Sequence, residues 1–184
     1  SNGCDDGVNW DYPDTFKFDK DVAGASVDPP VLGSGDVYVV CHGSASDEIK
    51  AECDGKFTYL SNGDDVFALT QMGSGAIVDI IGTIGDDPGS GWEVAGVTNA
   101  TKDHTLVRKS TTTIGNGGQW EASAGADSSD SEWVVLDQND WTYLGSHNSC
   151  DENCDSWQSC GDLSGACECI ADGNVNGDSN GEVN

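Results

Sequence analysis

Six short runs of β-branched and aromatic residues, each shut in by Gly, Asn, Asp or Ser, decide what this chain can fold into. They are DVYVVCH (36–42), KFTYL (56–60), DVFALTQ (65–71), AIVDIIGTIG (76–85), HTLVRKS (104–110) and EWVVLD (132–137). Side chains that branch at Cβ or carry a ring suit a pleated, half-buried surface, while the clusters between them supply the turns that reverse the chain. Turns such as SNGDD (61–65) and MGSG (72–75) separate the runs by about 10 to 20 residues, the rhythm of a β-sandwich. One stretch, SASDEIKAEC (44–53), reads as a helix of one or two turns, with Ser46 or Asp47 as N-cap and Ile49 and Cys53 four apart. The predicted class is all-β.

Cysteine sets the compartment. Cys4, Cys41, Cys53, Cys150, Cys154, Cys160, Cys167 and Cys169 make an even count, with five packed into the last fifth of the chain. That pattern points to disulfides and an oxidising environment. A zinc site is the weaker reading, because no CxxC pair and no His falls among them. Cys41 closes a predicted strand and Cys53 closes the predicted helix, so a bond between them would pin the helix to the sheet, contributing about 2 to 3 kcal/mol. Two buried free thiols are the competing reading.

Around residue 147 the composition changes. The segment CDENCDSWQSCGDLSGACECIADG has few core-forming residues and five cysteines, so cross-links would have to hold its shape. This divides the chain into a sandwich over 1–147 and a small disulfide-rich appendage over 148–184 that includes an acidic Asn/Gly tail. The spacing C-x3-C-x5-C-x6-C-x-C resembles the first five cysteines of an EGF-like module, and the sixth is absent. Parity favours Cys4 as the partner of one of the five.

The formal net charge of -26, from 33 acidic and 7 basic residues, repels a phosphate backbone and argues against nucleic acid as a partner. Hard cations are better suited to it. In the tail, Asp172, Asn174, Asn176 and Gly177 follow the D-x-N-x-N-G order of a calcium loop, with Asp178 as a further oxygen donor. The loop's twelfth position holds Val183 where a calcium loop needs Glu, and Glu182 comes one residue early. The segment is similar to the start of a dockerin-type repeat; the competing reading is a solvated acidic tail. No cofactor is expected, with calcium as the one candidate. Asn99-Ala100-Thr101 is a glycosylation sequon, with Asn99 as acceptor. There is no run of ~18 apolar residues, so no membrane insertion is expected. With no basic-then-apolar leader and Ser rather than Met at position 1, the chain reads as a processed or partial segment.

Three of the seven basic residues and one of the three histidines lie in GDDPGSGWEVAGVTNATKDHTLVRKS (85–110), which invites a catalytic reading. A phosphate loop fails, because the glycine run lacks the Lys and Ser/Thr that reach phosphate. No G-x-S-x-G elbow serves His104, and His42, His104 and His147 are far apart at no metal-ligand spacing. Structure accounts for more of the residues: 87–91 form a turn, Trp92 covers a sheet end, and a strand follows. Lys102, Arg108 and Lys109 are expected in surface ion pairs worth about 0 to 1 kcal/mol each.

GDVYVVCHGSA (35–45), TYLSNGDDVFALTQ (58–71), IVDIIGTIGDDPGSGWEVAGVTNATKDHTLVRK (77–109), GNGGQWEASAG (115–125) and EWVVLDQNDWTYLGSH (132–147) together resemble the secreted form of the lamin tail domain. The resemblance runs in the family's order over most of 31–147 and implies an immunoglobulin-like β-sandwich. Residues 1–30 lack the acidic-aromatic opening strands usual in the family. The family carries no established active site, so the resemblance implies no enzyme. It implies an extracellular or cell-surface module whose partners are other extracellular proteins or copies of itself. Its secreted members stand beside nucleases, phosphoesterases, adhesion modules and anchoring repeats. An accessory domain of a secreted hydrolase is therefore the first alternative, and a calcium-dependent adhesion or dockerin-like anchoring segment the second.

Overall fold

The computed structural model describes residues 10–13, 15–16, 32 and 36–147, together with the backbone of two strands at 158–163 and 166–171. Cys4, Cys150 and Cys154, and the calcium candidates Asp172, Asn174, Asn176 and Asp178, lie outside the described residues.

The regular structure is mostly strand, with two five-residue helices among the described residues. In order, the elements are β1 (Val40–Cys41), α1 (Asp47–Ala51), β2 (Gly55–Lys56), β3 (Phe67–Thr70), β4 (Ile77–Ile81), β5 (Thr105–Arg108), α2 (Trp120–Ala124), β6 (Trp133–Leu136), β7 (Gln158–Leu163) and β8 (Ala166–Ala171). They form four two-stranded sheets: β1–β2 is parallel, while β3–β4, β5–β6 and β7–β8 are antiparallel. An all-β class is what the strand pattern predicts. The runs at 36–42 and 56–60 pair over only two residues each. Beyond Lys56 the rings of Phe57 and Tyr59 pack on Tyr12 and Phe16 in place of continuing the ladder.

Local chemistry explains the first unit. The Ser46 side chain accepts a hydrogen bond from the Ile49 amide, and Asp47 and Glu48 occupy the first turn of α1, where the exposed amides favour negative charge. A disulfide joins Cys41 to Cys53 across twelve residues, so these two are bonded and not free thiols. Asp54 completes the closure: its carboxylate accepts from the Val39 amide at 2.8 Å, and the Asp54 and Gly55 amides donate to the Val39 carbonyl at 3.0 Å.

The core gathers Val66 beside β3, Ile80 of β4, Trp92, Val94 and Ala100 of the long connection, Trp120 and Ala124 of α2, and Trp133 of β6. Turn chemistry delivers Trp92 there. The Asp87 carboxylate accepts from the Gly89 amide at 2.7 Å, Gly89 adopts φ 83°, and the chain then enters the core at Trp92. Thr101 clamps the entry by accepting from the Trp92 amide at 2.7 Å and donating to the Gly63 carbonyl. Helix α2 is not expected from the sequence, which offers a helix only over 44–53. Its Trp120 and Ala124, four apart, both face the core, and a stretch this short has no readable period.

Candidate functional site

The residue that breaks most sharply with expectation is Arg108. At the end of β5 its side chain is only 12% exposed, and it bridges two carboxylates instead of sitting in a surface pair. Nη1 lies 2.9 Å from one oxygen of Asp79 on β4, and Nη2 lies 2.7 Å from Glu132, which precedes β6. The guanidinium plane covers the Trp133 ring at 4.4 Å. Glu132 also accepts from the Ser123 hydroxyl of α2 at 2.6 Å, and that oxygen in turn accepts from the Trp133 indole N–H at 3.0 Å. Asp79 accepts in addition from the Asn116 amide at 3.0 Å. These bonds tie β4, β5, α2 and the start of β6 together, while Arg108 Nε is buried without a hydrogen-bond partner among the described residues. Surface value does not apply to such a group, because removing one partner leaves an uncompensated charge in a poorly solvated place.

Asn116 extends the network along the outer edge of β4. Its carboxamide donates to the Ile80 carbonyl at 2.7 Å and accepts from the Ile80 amide at 3.1 Å, so it pairs with that residue as a neighbouring strand would. Gly117 adds a bond to the Val78 carbonyl at 3.0 Å.

On the other side of β4 lies an open groove of about 1620 Å³. Strands β3 and β4 provide its floor, and Trp10, Tyr12, Phe16, Phe57, Tyr59, Leu60 and Met72 stand along it. Tyr12 stacks on Tyr59 at 5.1 Å and 8°, and both meet the edge of Phe57 at 5.4 and 5.8 Å. This surface is left to water: Tyr59 is 63% exposed, Met72 61% and Leu69 50%. Among the described residues the lining includes Asp11, Asp65 and Asp79, the last of them already paired with Arg108. Contiguous apolar exposure of this kind exceeds the scattered single residues usual on a protein surface.

No family model, no curated protein and no solved structure matches this chain.

The histidines stay apart, and the contacts they make run to backbone: His42 accepts from the Ser44 amide, His104 meets the Lys102 carbonyl and His147 the Arg108 carbonyl. Ser123, whose hydroxyl donates to the part-buried Glu132 carboxylate, is 1% exposed and out of a substrate's reach. Lys109 donates to the Ser128 carbonyl at 2.8 Å. Among the described residues no group of three or more His, Cys, Asp or Glu comes together to hold a metal ion, and no helix is long and apolar enough to cross a membrane.

Each residue of the sequon has a structural place. Asn99 adopts φ 57°, Ala100 is fully buried, and the Thr101 hydroxyl is the clamp on Trp92. Of Cys160, Cys167 and Cys169, the strand register puts Cys160 opposite Cys169 and Cys167 opposite Asp162. The groove was missed by sequence reasoning because its two aromatic walls come from segments more than forty residues apart, 10–16 and 57–60. The available signal was the string of apolar residues at Phe67, Leu69 and Met72, with nothing nearby to cover them.

Proposed function

We propose that this chain is a non-enzymatic extracellular module of the lamin tail kind, part of a larger surface, matrix or filament protein, and that its small sheets belong to an immunoglobulin-like sandwich. The observation that carries the reading is the exposed groove on β3–β4, a large apolar surface beside a charged network that joins elements. The Cys41–Cys53 disulfide supports an oxidising compartment. In this reading Asn99 carries a glycan, which a glycosidase-dependent mass shift of the exported chain detects.

Photo-crosslinking from position 69 in the exported protein tests the assignment. The expected product is an adduct with another extracellular protein, formed from position 69 and not from Ile114, which is exposed outside the groove. Equal labelling from both positions overturns the groove as the interaction surface. Turnover of nucleic acid or phosphoesters by the purified chain overturns the non-enzymatic half.

The D-x-N-x-N-G order at 172–177 favours a second reading, a calcium-dependent anchor using Asp172, Asn174, Asn176 and Asp178. A melting temperature unchanged by chelator removes it.

A further inference from the structure

We propose that Cys160 and Cys169 form a cross-strand disulfide that staples the hairpin of β7 and β8, leaving Cys167 to pair outside that hairpin. The inference stands on strand register and needs nothing of the groove.

Two residues, Ser164 and Gly165, separate β7 from β8, a connection of the length that joins antiparallel strands most often. The register runs unbroken from Leu163↔Ala166 out to Gln158↔Ala171, so nothing shifts between the turn and the cysteines. Cys160 is the register partner of Cys169 in that ladder. Residues directly opposite on antiparallel strands have Cα atoms about 4.5 or 5.5 Å apart, according to whether the pair exchanges backbone hydrogen bonds. A disulfide spans about 4.4 to 6.8 Å, so either kind of pair accepts one without moving the backbone.

The same geometry disposes of the other pairings inside the hairpin. Cys167 is opposite Asp162 and is therefore a diagonal neighbour of Cys160. Such diagonals measure about 7 to 8 Å, beyond a disulfide's reach. Cys167 and Cys169, two apart on one strand, stand at about 6.8 Å, the limit of that reach. With Cys41 and Cys53 already joined, the pairing leaves Cys4, Cys150, Cys154 and Cys167, an even set. A two-stranded hairpin alone is marginal in water, and Leu163 and Ile170 are the only large aliphatic residues of these two strands. A cross-link supplies what so little apolar surface does not.

Formation needs a disulfide oxidant, small or protein-borne, as an oxidising compartment provides. One cysteine thiolate attacks the oxidant's S–S bond, forms a mixed disulfide and expels one thiol. The second cysteine thiolate attacks the mixed disulfide and expels the other thiol. The cysteines give up two electrons and two protons, and the oxidant is reduced to two thiols.

Non-reducing peptide mapping of the exported full chain, with free thiols first blocked by an alkylating agent, tests the pairing. Cleavage before Asp and after Glu puts Cys160 (155–161), Cys167 (162–168) and Cys169 (169–171) on separate peptides. The expected species is 155–161 joined to 169–171, its mass two hydrogens below the sum of the pair. In Cys160→Ser the alkyl label is expected on Cys169, and in Cys169→Ser on Cys160. A map that joins Cys160 to Cys4, Cys150, Cys154 or Cys167 overturns the proposal. So does one in which Cys160 and Cys169 both carry the label, the result a metal-binding thiol face would give. A label that moves to Cys150 or Cys154 in Cys160→Ser shows that the partner of Cys160 lay there, and overturns it equally.

Discussion

Arg108 decides more of this structure than any other single side chain. Its Nη atoms bond Asp79 and Glu132, so Arg108→Met strands two carboxylates that are a third exposed and is expected to cost about 1 to 3 kcal/mol in denaturant unfolding. Arg108→Lys keeps the charge but loses the fork that serves both acids, and should recover only part of that loss. A double-mutant cycle with Asp79→Asn should return a coupling of about 0.5 to 3 kcal/mol, and zero coupling would sink the brace. Little of this was legible in sequence. Asp79 and Glu132 lie 29 and 24 residues away, and a chain with so many acids offers no means of choosing them. At the same scale, the Ser129 hydroxyl and then its amide hold the Asp127 carboxyl below the usual aspartate range, and the Thr142 hydroxyl and amide do the same for Asp140. A depressed folded pKa contributes stability above the unfolded pKa and loses it as pH falls through the folded one. Carboxyl NMR titration should therefore give both groups low midpoints, with Ser129→Ala raising that of Asp127 and leaving that of Asp140.

Among the elements, those that close locally were legible and those that depend on distant partners were not. Ser46 as a cap, the Ile49–Cys53 spacing and the cysteines at 41 and 53 pointed to α1 and its cross-link, because cap and spacing are both local. Replacing Cys41 and Cys53 together by Ser should cost about 3 kcal/mol, the loop-closure value for a ring of this size. Strands β3 to β6 fell inside their predicted runs. The edge partner of β4 did not, since it is a side chain and not a strand. Asn116→Ala withdraws both bonds from Ile80, whose residue is 3% exposed, and should cost about 2 kcal/mol or more while speeding hydrogen exchange at the Ile80 amide. Unchanged exchange would show that the carboxamide does not guard the edge. Gly115→Ala tests the same contact from the other direction: an added methyl would fall against the Val78 carbonyl oxygen, and a loss of about 1 to 3 kcal/mol is expected.

At the scale of the whole molecule the excess of carboxylates works against compaction. Screening shrinks from about 30 Å at 0.01 M salt to about 8 Å at physiological ionic strength, so the melting temperature should rise with sodium chloride over that range. A flat response would mean that the acids are already compensated. The all-β class was legible from the spacing of the apolar runs, but the arrangement of small sheets around three core tryptophans was not, since no local pattern reports which runs meet. The disulfide has one more consequence if such a module is drawn out by its ends. Force travels through the sulfurs and bypasses α1, so the enclosed stretch yields no length: about 40 Å of contour for its twelve residues stays locked. A reductant releases it, and the extensibility of any fibre built from this chain is then set by redox conditions as well as by load.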